Sequence, residues 1–105
     1  MSFSYLYAIG PNDNGPIKIG FSKNPIQRIK TLQTAHPSPL VIHKMVAFET
    51  DKIRLVEKSI HQSLSYKKKK GEWFNITPEE AIDFIEHTRI THENVSTGVL
   101  KILTS

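Results

Sequence analysis

The chain has 105 residues, no cysteine, 38% hydrophobic and 23% charged residues, and a formal net charge of +4. That length suits one domain with one core. The composition is too apolar for a disordered tail and too polar for a membrane protein, and the lack of cysteine removes disulfide scaffolds, Cys-ligated zinc and thiol nucleophiles together. No apolar run approaches the ~20 residues of a spanning helix. Residues 1–5 lack the basic and apolar regions of a secretion signal, so the expectation is a cytoplasmic protein without membrane association. Residues 1–75 hold twelve Lys/Arg against five Asp/Glu, whereas residues 76–105 hold two against five. A basic front of this kind fits a polyanionic partner, and equally ordinary solubilising charge.

Residues 5–9 are aromatic and apolar and predict a strand. A turn cluster over residues 10–16 separates them from Ile17-Lys18-Ile19-Gly20-Phe21-Ser22, which alternates strictly, so the pair predicts a hairpin with a long loop. Asn24-Pro25 predicts a helix start, followed by Ile26, Ile29 and Leu32 at helical spacing and stopped by His36-Pro37-Ser38-Pro39. Residues 40–48 predict a third, more central strand. Asp51 is placed to cap a second helix whose apolar stripe is Ile53, Val56, Ile60 and Leu64.

Lys67, Lys68, Lys69 and Lys70 then predict a basic loop, and residues 71–75 a short return strand. Thr77-Pro78-Glu79-Glu80 is a capping box that opens a third helix on Ala81, Ile82, Phe84 and Ile85, expected to end near Thr88. The order β-β-α-β-α-(β)-α predicts an α/β domain, a small central mixed or antiparallel sheet flanked by helices, over residues 1–88. Residues 89–105 are left as a tail, in which Val99, Leu100, Ile102 and Leu103 can pack on the core or on a partner.

Several polar residues sit where a core margin is expected. Glu57 falls at the edge of the second helix's apolar stripe, with His61 one turn on. A carboxylate there needs a metal, an Arg or a Lys, or else pairs along the helix with Arg54 or His61. Arg28 sits at the edge of the first helix's apolar arc, as a functional cation or a snorkelling one. In the hairpin, Tyr5 and Tyr7 share one strand face, and Lys18, Gly20 and Ser22 share one face of the next. Leu6, Ala8, Ile17, Ile19 and Phe21 turn the other way, so Tyr7 and Lys18 are expected together on a shallow surface. There the ammonium would lower the phenol's pKa, and Gly20 would allow close approach of a ligand.

Tyr5-Leu6-Tyr7, Lys18-Ile19-Gly20, the following stretch to Arg28, Glu57 on a helix, and Gly71-Glu72-Trp73-Phe74 occur in that order. The ordered set resembles the GIY-YIG nuclease superfamily, in particular its short phage and bacterial branch, over about residues 4–88. Tyr5 stands where the first glycine of G-I-Y would be, and Lys18 where the tyrosine of Y-I-G would be. The resemblance implies a metal-dependent endonuclease that hydrolyses phosphodiester bonds, with DNA as the first expectation. Glu57 would bind one Mg²⁺ (or Mn²⁺), Tyr7 would activate water beside Lys18, and Arg28 would bind a non-bridging oxygen. His61 would assist proton transfer or orient Glu57, and Tyr5 is the alternative phenol. Lys67, Lys68, Lys69, Lys70, Lys23 and Lys30 would contact phosphates. One such site cuts one strand at a time, which leaves room for a homodimer. The second reading is a nucleic-acid-binding module on the same fold that does not cut.

Overall fold

The computed structural model describes residues 2–97, with side chains for residues 2–90 apart from Tyr66 and the lysines 68, 69 and 70. Strand β1 (Phe3–Gly10) and strand β2 (Ile17–Ser22) form the expected antiparallel hairpin. Helix α1 (Pro25–Gln33) begins as its sequence dictates: Asn24 Oδ1 accepts from the Gln27 backbone N–H at 3.1 Å, and Pro25 occupies the first turn. Strand β3 (Val41–Glu49) returns along β1. A 3₁₀ turn at Thr50–Lys52 leads into helix α2 (Ile53–Ser63). Strands β4 (Lys68–Lys70) and β5 (Trp73–Phe74) form a small hairpin ahead of helix α3 (Pro78–Thr97).

All five strands pair antiparallel, in the order β3-β1-β2-β5-β4. The pleat sends Leu6, Ala8, Ile17 and Ile19 to one face. They meet Val56, Ile60 and Leu64 of the α2 segment, Ala81 and Ile85 of α3, and Phe48, Phe74 and Ile76 in the main core. Val56, Ile60 and Leu64 are therefore the buried stripe that their spacing predicts. The other face carries Tyr7 and Ile9, which α1 covers with Ile29 and Leu32 while Leu40, Ile42 and Trp73 close the sides. The Thr77 capping box is formed in full: the Thr77 N–H donates to Glu80 Oε1 at 3.0 Å, and the Glu80 N–H donates to Thr77 Oγ1 at 3.1 Å.

Five details differ from the sequence expectation. The segment of β3 is apolar but lies at the sheet edge, because β1 pairs with β2 on its other side; its Met45 and Ala47 stay exposed. Asp51 sits inside the 3₁₀ turn, and Lys52 holds the N-cap position without a side-chain bond. Residues 68–70 form a strand rather than a loop, since β5 offers them a partner. Ile26 turns outward from α1 and is exposed. The third helix continues past Thr88 to Thr97, for Gly98 is the first breaker in its path. Thr88 Oγ1 and Arg89 bond back along that helix, to Phe84 O and to the Glu86 carboxylate. Val99, Leu100, Ile102 and Leu103 lie outside the described residues. No helix among the described residues is long and apolar enough to cross a membrane.

Candidate active site

Tyr7 and Lys18 share the α1 side of the sheet, as alternation requires, but that side is not a shallow surface. Tyr7 is 1% exposed and Lys18 7%. The reason is α1, which lies over this end of the hairpin and turns the exposed face of a two-stranded ribbon into a second small core. Tyr7 faces Gly20 across the ladder, and Ile9 faces Lys18. A Cβ at residue 20 would stand 2.9 Å from Tyr7 Oη and 3.1 Å from Glu72 Oε1. The glycine thus leaves the space in which the phenol and a carboxylate approach one another.

Lys18 does not act on the phenol as expected. Its Nζ lies 3.2 Å from Glu72 Oε1 and 5.6 Å from the centre of the Trp73 ring, which sits beside it because β2 and β5 pair Lys18 with Trp73. The cation that acts on the Tyr7 phenol is Arg28 of α1, by hydrogen bonding and by charge. Burial nevertheless raises the Tyr7 pKa; Arg28 pulls the other way, and the Glu72 and Glu57 carboxylates add to the rise. The expected lowering by Lys18 is therefore corrected: Tyr7 is a neutral phenol at neutral pH.

Glu57 and His61 come from the margin of α2 and meet Glu72 at the edge of β2 where β5 stops pairing. His61 Nε2 lies 3.2 Å from Ile19 O, an atom that can only accept, so Nε2 carries the proton and Nδ1 is left as the ring's ligand or acceptor atom. The same ring stands edge-on to Phe74, with centroids 5.1 Å apart. The Ile19 N–H donates to Glu72 O at 3.1 Å, which anchors the turn that carries Glu72. Gly71, at φ +60, makes that tight turn between β4 and β5.

Glu57, His61 and Glu72 each offer one ligand atom, all within 4.8 Å of one another. Burial raises the Glu57 pKa. The neighbouring Glu72 carboxylate raises it further by charge and by a shared hydrogen bond, against weaker lowering by His61 and Lys18. Two carboxylates held this close repel when both ionise, and a cation between them relieves it. Carboxylate oxygens suit Mg²⁺ or Mn²⁺ and an imidazole adds a ligand for the transition metals, so the donor set fits a divalent ion without fixing which. The three open onto a cleft of about 620 Å³ that is also lined by Arg54, Lys58, Gln62, Ser65 and Gly71.

The structure thus brings together Tyr7, Lys18, Arg28, Glu57 and His61 of the residues singled out by sequence. Tyr5 is half-buried two residues along β1, opposite Ser22. Lys23 and Lys30 are exposed, before and within α1. Lys67 lines a different pocket, with Thr77 and Glu80. The residue that sequence reasoning passed over is Glu72, quoted only as part of Gly71-Glu72-Trp73-Phe74. A signal for it existed: residues 1–75 contain five acidic side chains, and a metal site at Glu57 calls for a second among them.

A small antiparallel α/β domain with a Glu-His-Glu cleft at its sheet edge is the class that this fold and site define. The chain belongs to the T5orf172 domain family, whose match covers residues 4–89. This is a phage-derived domain related to nuclease-like folds. No curated protein and no solved structure matches the chain.

Proposed function

We propose that the protein is a metal-dependent endonuclease of GIY-YIG type acting on nucleic acid, DNA in the first instance. The observation that carries this reading is the convergence of Glu57, His61 and Glu72 beside the Tyr7–Arg28 pair, with Gly20 holding the space open. Glu57 and Glu72, with His61 through Nδ1, would hold one divalent ion. That ion would supply charge neutralisation at the scissile phosphate and at the leaving oxygen. Arg28 binds a non-bridging phosphate oxygen beside Tyr7. Tyr7 keeps its proton at rest, so its first task is to hold the attacking water by hydrogen bonding; taking a proton from that water demands a phenolate, which Arg28 favours and burial opposes. In this reading Lys18 holds Glu72 in place.

The rival reading, a domain that binds nucleic acid without cutting it, is favoured by one observation: the lysine at the position of the family's tyrosine is already paired with Glu72. Nicking of supercoiled plasmid by the full chain in Mg²⁺, Mn²⁺ or EDTA separates the two. Glu57→Gln keeps the shape and removes the charge, so it is expected to abolish metal-dependent nicking with an unchanged circular dichroism spectrum. Wild-type nicking by a folded Glu57→Gln protein removes the metal-ligand role, and retained binding without any metal-dependent nicking in the wild type favours the rival.

A further inference from the structure

Several of the described cations already have intramolecular partners, and Lys23 and Lys30, exposed before and within α1, do not line the Glu57 cleft. Lys18 is paired with Glu72 and Lys44 with Glu86, the latter at 3.2 Å. Lys52, Lys67 and Arg89 also interact within the chain. Lys67, expected to track phosphates, looks away from the cleft toward the start of α3, where its charge acts on Glu80. Arg54 and Lys58 differ. Both are exposed, both line the Glu57 cleft, and neither holds a hydrogen bond or ion pair among the described residues.

Their place on α2 is set by helical geometry. At ~100° per residue, Glu57 and His61 border the buried stripe of α2, and Arg54, Lys58 and Gln62 form the next row outward. Arg54 and Lys58 stand one turn apart, ~6 Å along the axis. A polar row with two unspent cations therefore runs parallel to the row that carries two of the three ligand atoms, along the wall of the same cleft.

We propose that Arg54 and Lys58 are the grip on the substrate backbone: each takes a phosphate of the strand being cut, next to the phosphate addressed by Glu57 and Arg28. The proposal rests on the reading of the cleft as a nucleic-acid site, and adds phosphate contacts on α2 to those expected from the sequence. Contacts of this kind carry affinity and little sequence information. The grip is tested without metal or cutting, by anisotropy of labelled single-stranded and duplex DNA with the full chain in EDTA across a salt series. Losing two phosphate contacts in Arg54→Gln/Lys58→Gln should flatten the log–log salt slope by ~1.4 for a single strand or ~1.8 for a duplex, equally across sequences. Glutamine preserves helix propensity. The charge-keeping exchange Arg54→Lys/Lys58→Arg should retain the wild-type slope. An unchanged slope in the glutamine variant, or no DNA binding by the wild type, overturns the proposal. A flattened slope in a protein that never nicks supports the grip while removing the nuclease reading.

Discussion

Leu6, Ala8, Ile17 and Ile19 turn one way from β1 and β2, into a layer of aliphatic and aromatic side chains closed by α2 and α3. Tyr7, Ile9, Lys18 and Gly20 turn the other way, under the single short helix α1. The residues alternate along the same two strands, so local propensity does not separate the faces. What separates them is polar content and how it is satisfied. The first face buries no charge. The second buries a phenol hydrogen-bonded by Arg28 and an ammonium paired with Glu72, and no buried side-chain nitrogen or oxygen among the described residues lacks a partner. Polar groups can be buried at low cost only where partners are built in. Here one of the partners, Glu72, also lines the cleft beside Glu57 and His61 of α2, so the first face holds the main apolar core while the second contributes the buried polar groups next to the candidate site.

Two substitutions can break this contrast. Tyr7→Phe keeps the ring in its packing and removes one oxygen; cutting by the full chain should slow by ~10²–10⁴-fold, the span of proton-transfer roles, while the melting temperature moves little. Ile85→Ala empties part of the main core and should cost about 2–5 kcal/mol in urea unfolding, while the folded fraction keeps its activity per molecule. If Tyr7→Phe loses as much stability as Ile85→Ala, the two faces are not divided by task. If Tyr7→Phe cuts at the wild-type rate, the phenol is outside the chemistry and the cleft carboxylates with Arg28 must suffice.

The parts legible in the sequence are those fixed by near neighbours. Asn24-Pro25, the Thr77–Glu80 box and the Val56, Ile60, Leu64 stripe each declare themselves within a turn or two, and each is formed as read. Strand order is decided elsewhere. The apolar run of β3 suggests a central strand, yet the places beside β1 and β2 are settled by pairing with segments far away in the chain. A run of lysines reads as a loop because its strand character comes from β5 rather than from its own propensity. The same limit holds at the site. Periodicity puts Arg28 and Glu57 at the rims of their helices, and alternation puts Tyr7 and Lys18 on one face. Neither says what covers that face, so it does not reveal that Arg28 acts on Tyr7 and that Lys18 pairs with Glu72. Glu72 itself lies in a two-residue turn with no period to reveal it, and matters only because α2 brings Glu57 beside it.

The smallest effect sharpens the contrast from the open side of the site. Glu57 has a raised pKa, caused first by burial and then by Glu72. The folded chain therefore holds this proton more tightly than the unfolded chain, whose carboxyl titrates near 4.5. By linkage, the site costs no stability below that pH, and stability is lost as pH rises from there through the higher folded value. Without metal, Glu57→Gln should then melt at the wild-type temperature in acid and slightly above it at neutral pH. The gain is modest because the carboxylate is half-exposed and screened. Adding Mn²⁺ or Mg²⁺ at neutral pH should reverse the order, since an ion bound only by the folded state raises the wild-type melting temperature and leaves the glutamine variant nearly where it was. An equal metal shift in both proteins would move the ion away from Glu57. A variant that melts lower than wild type at neutral pH without metal would mean that the carboxylate is held by a cation of the chain, such as Lys18, and that the repulsion inviting a metal ion is not there.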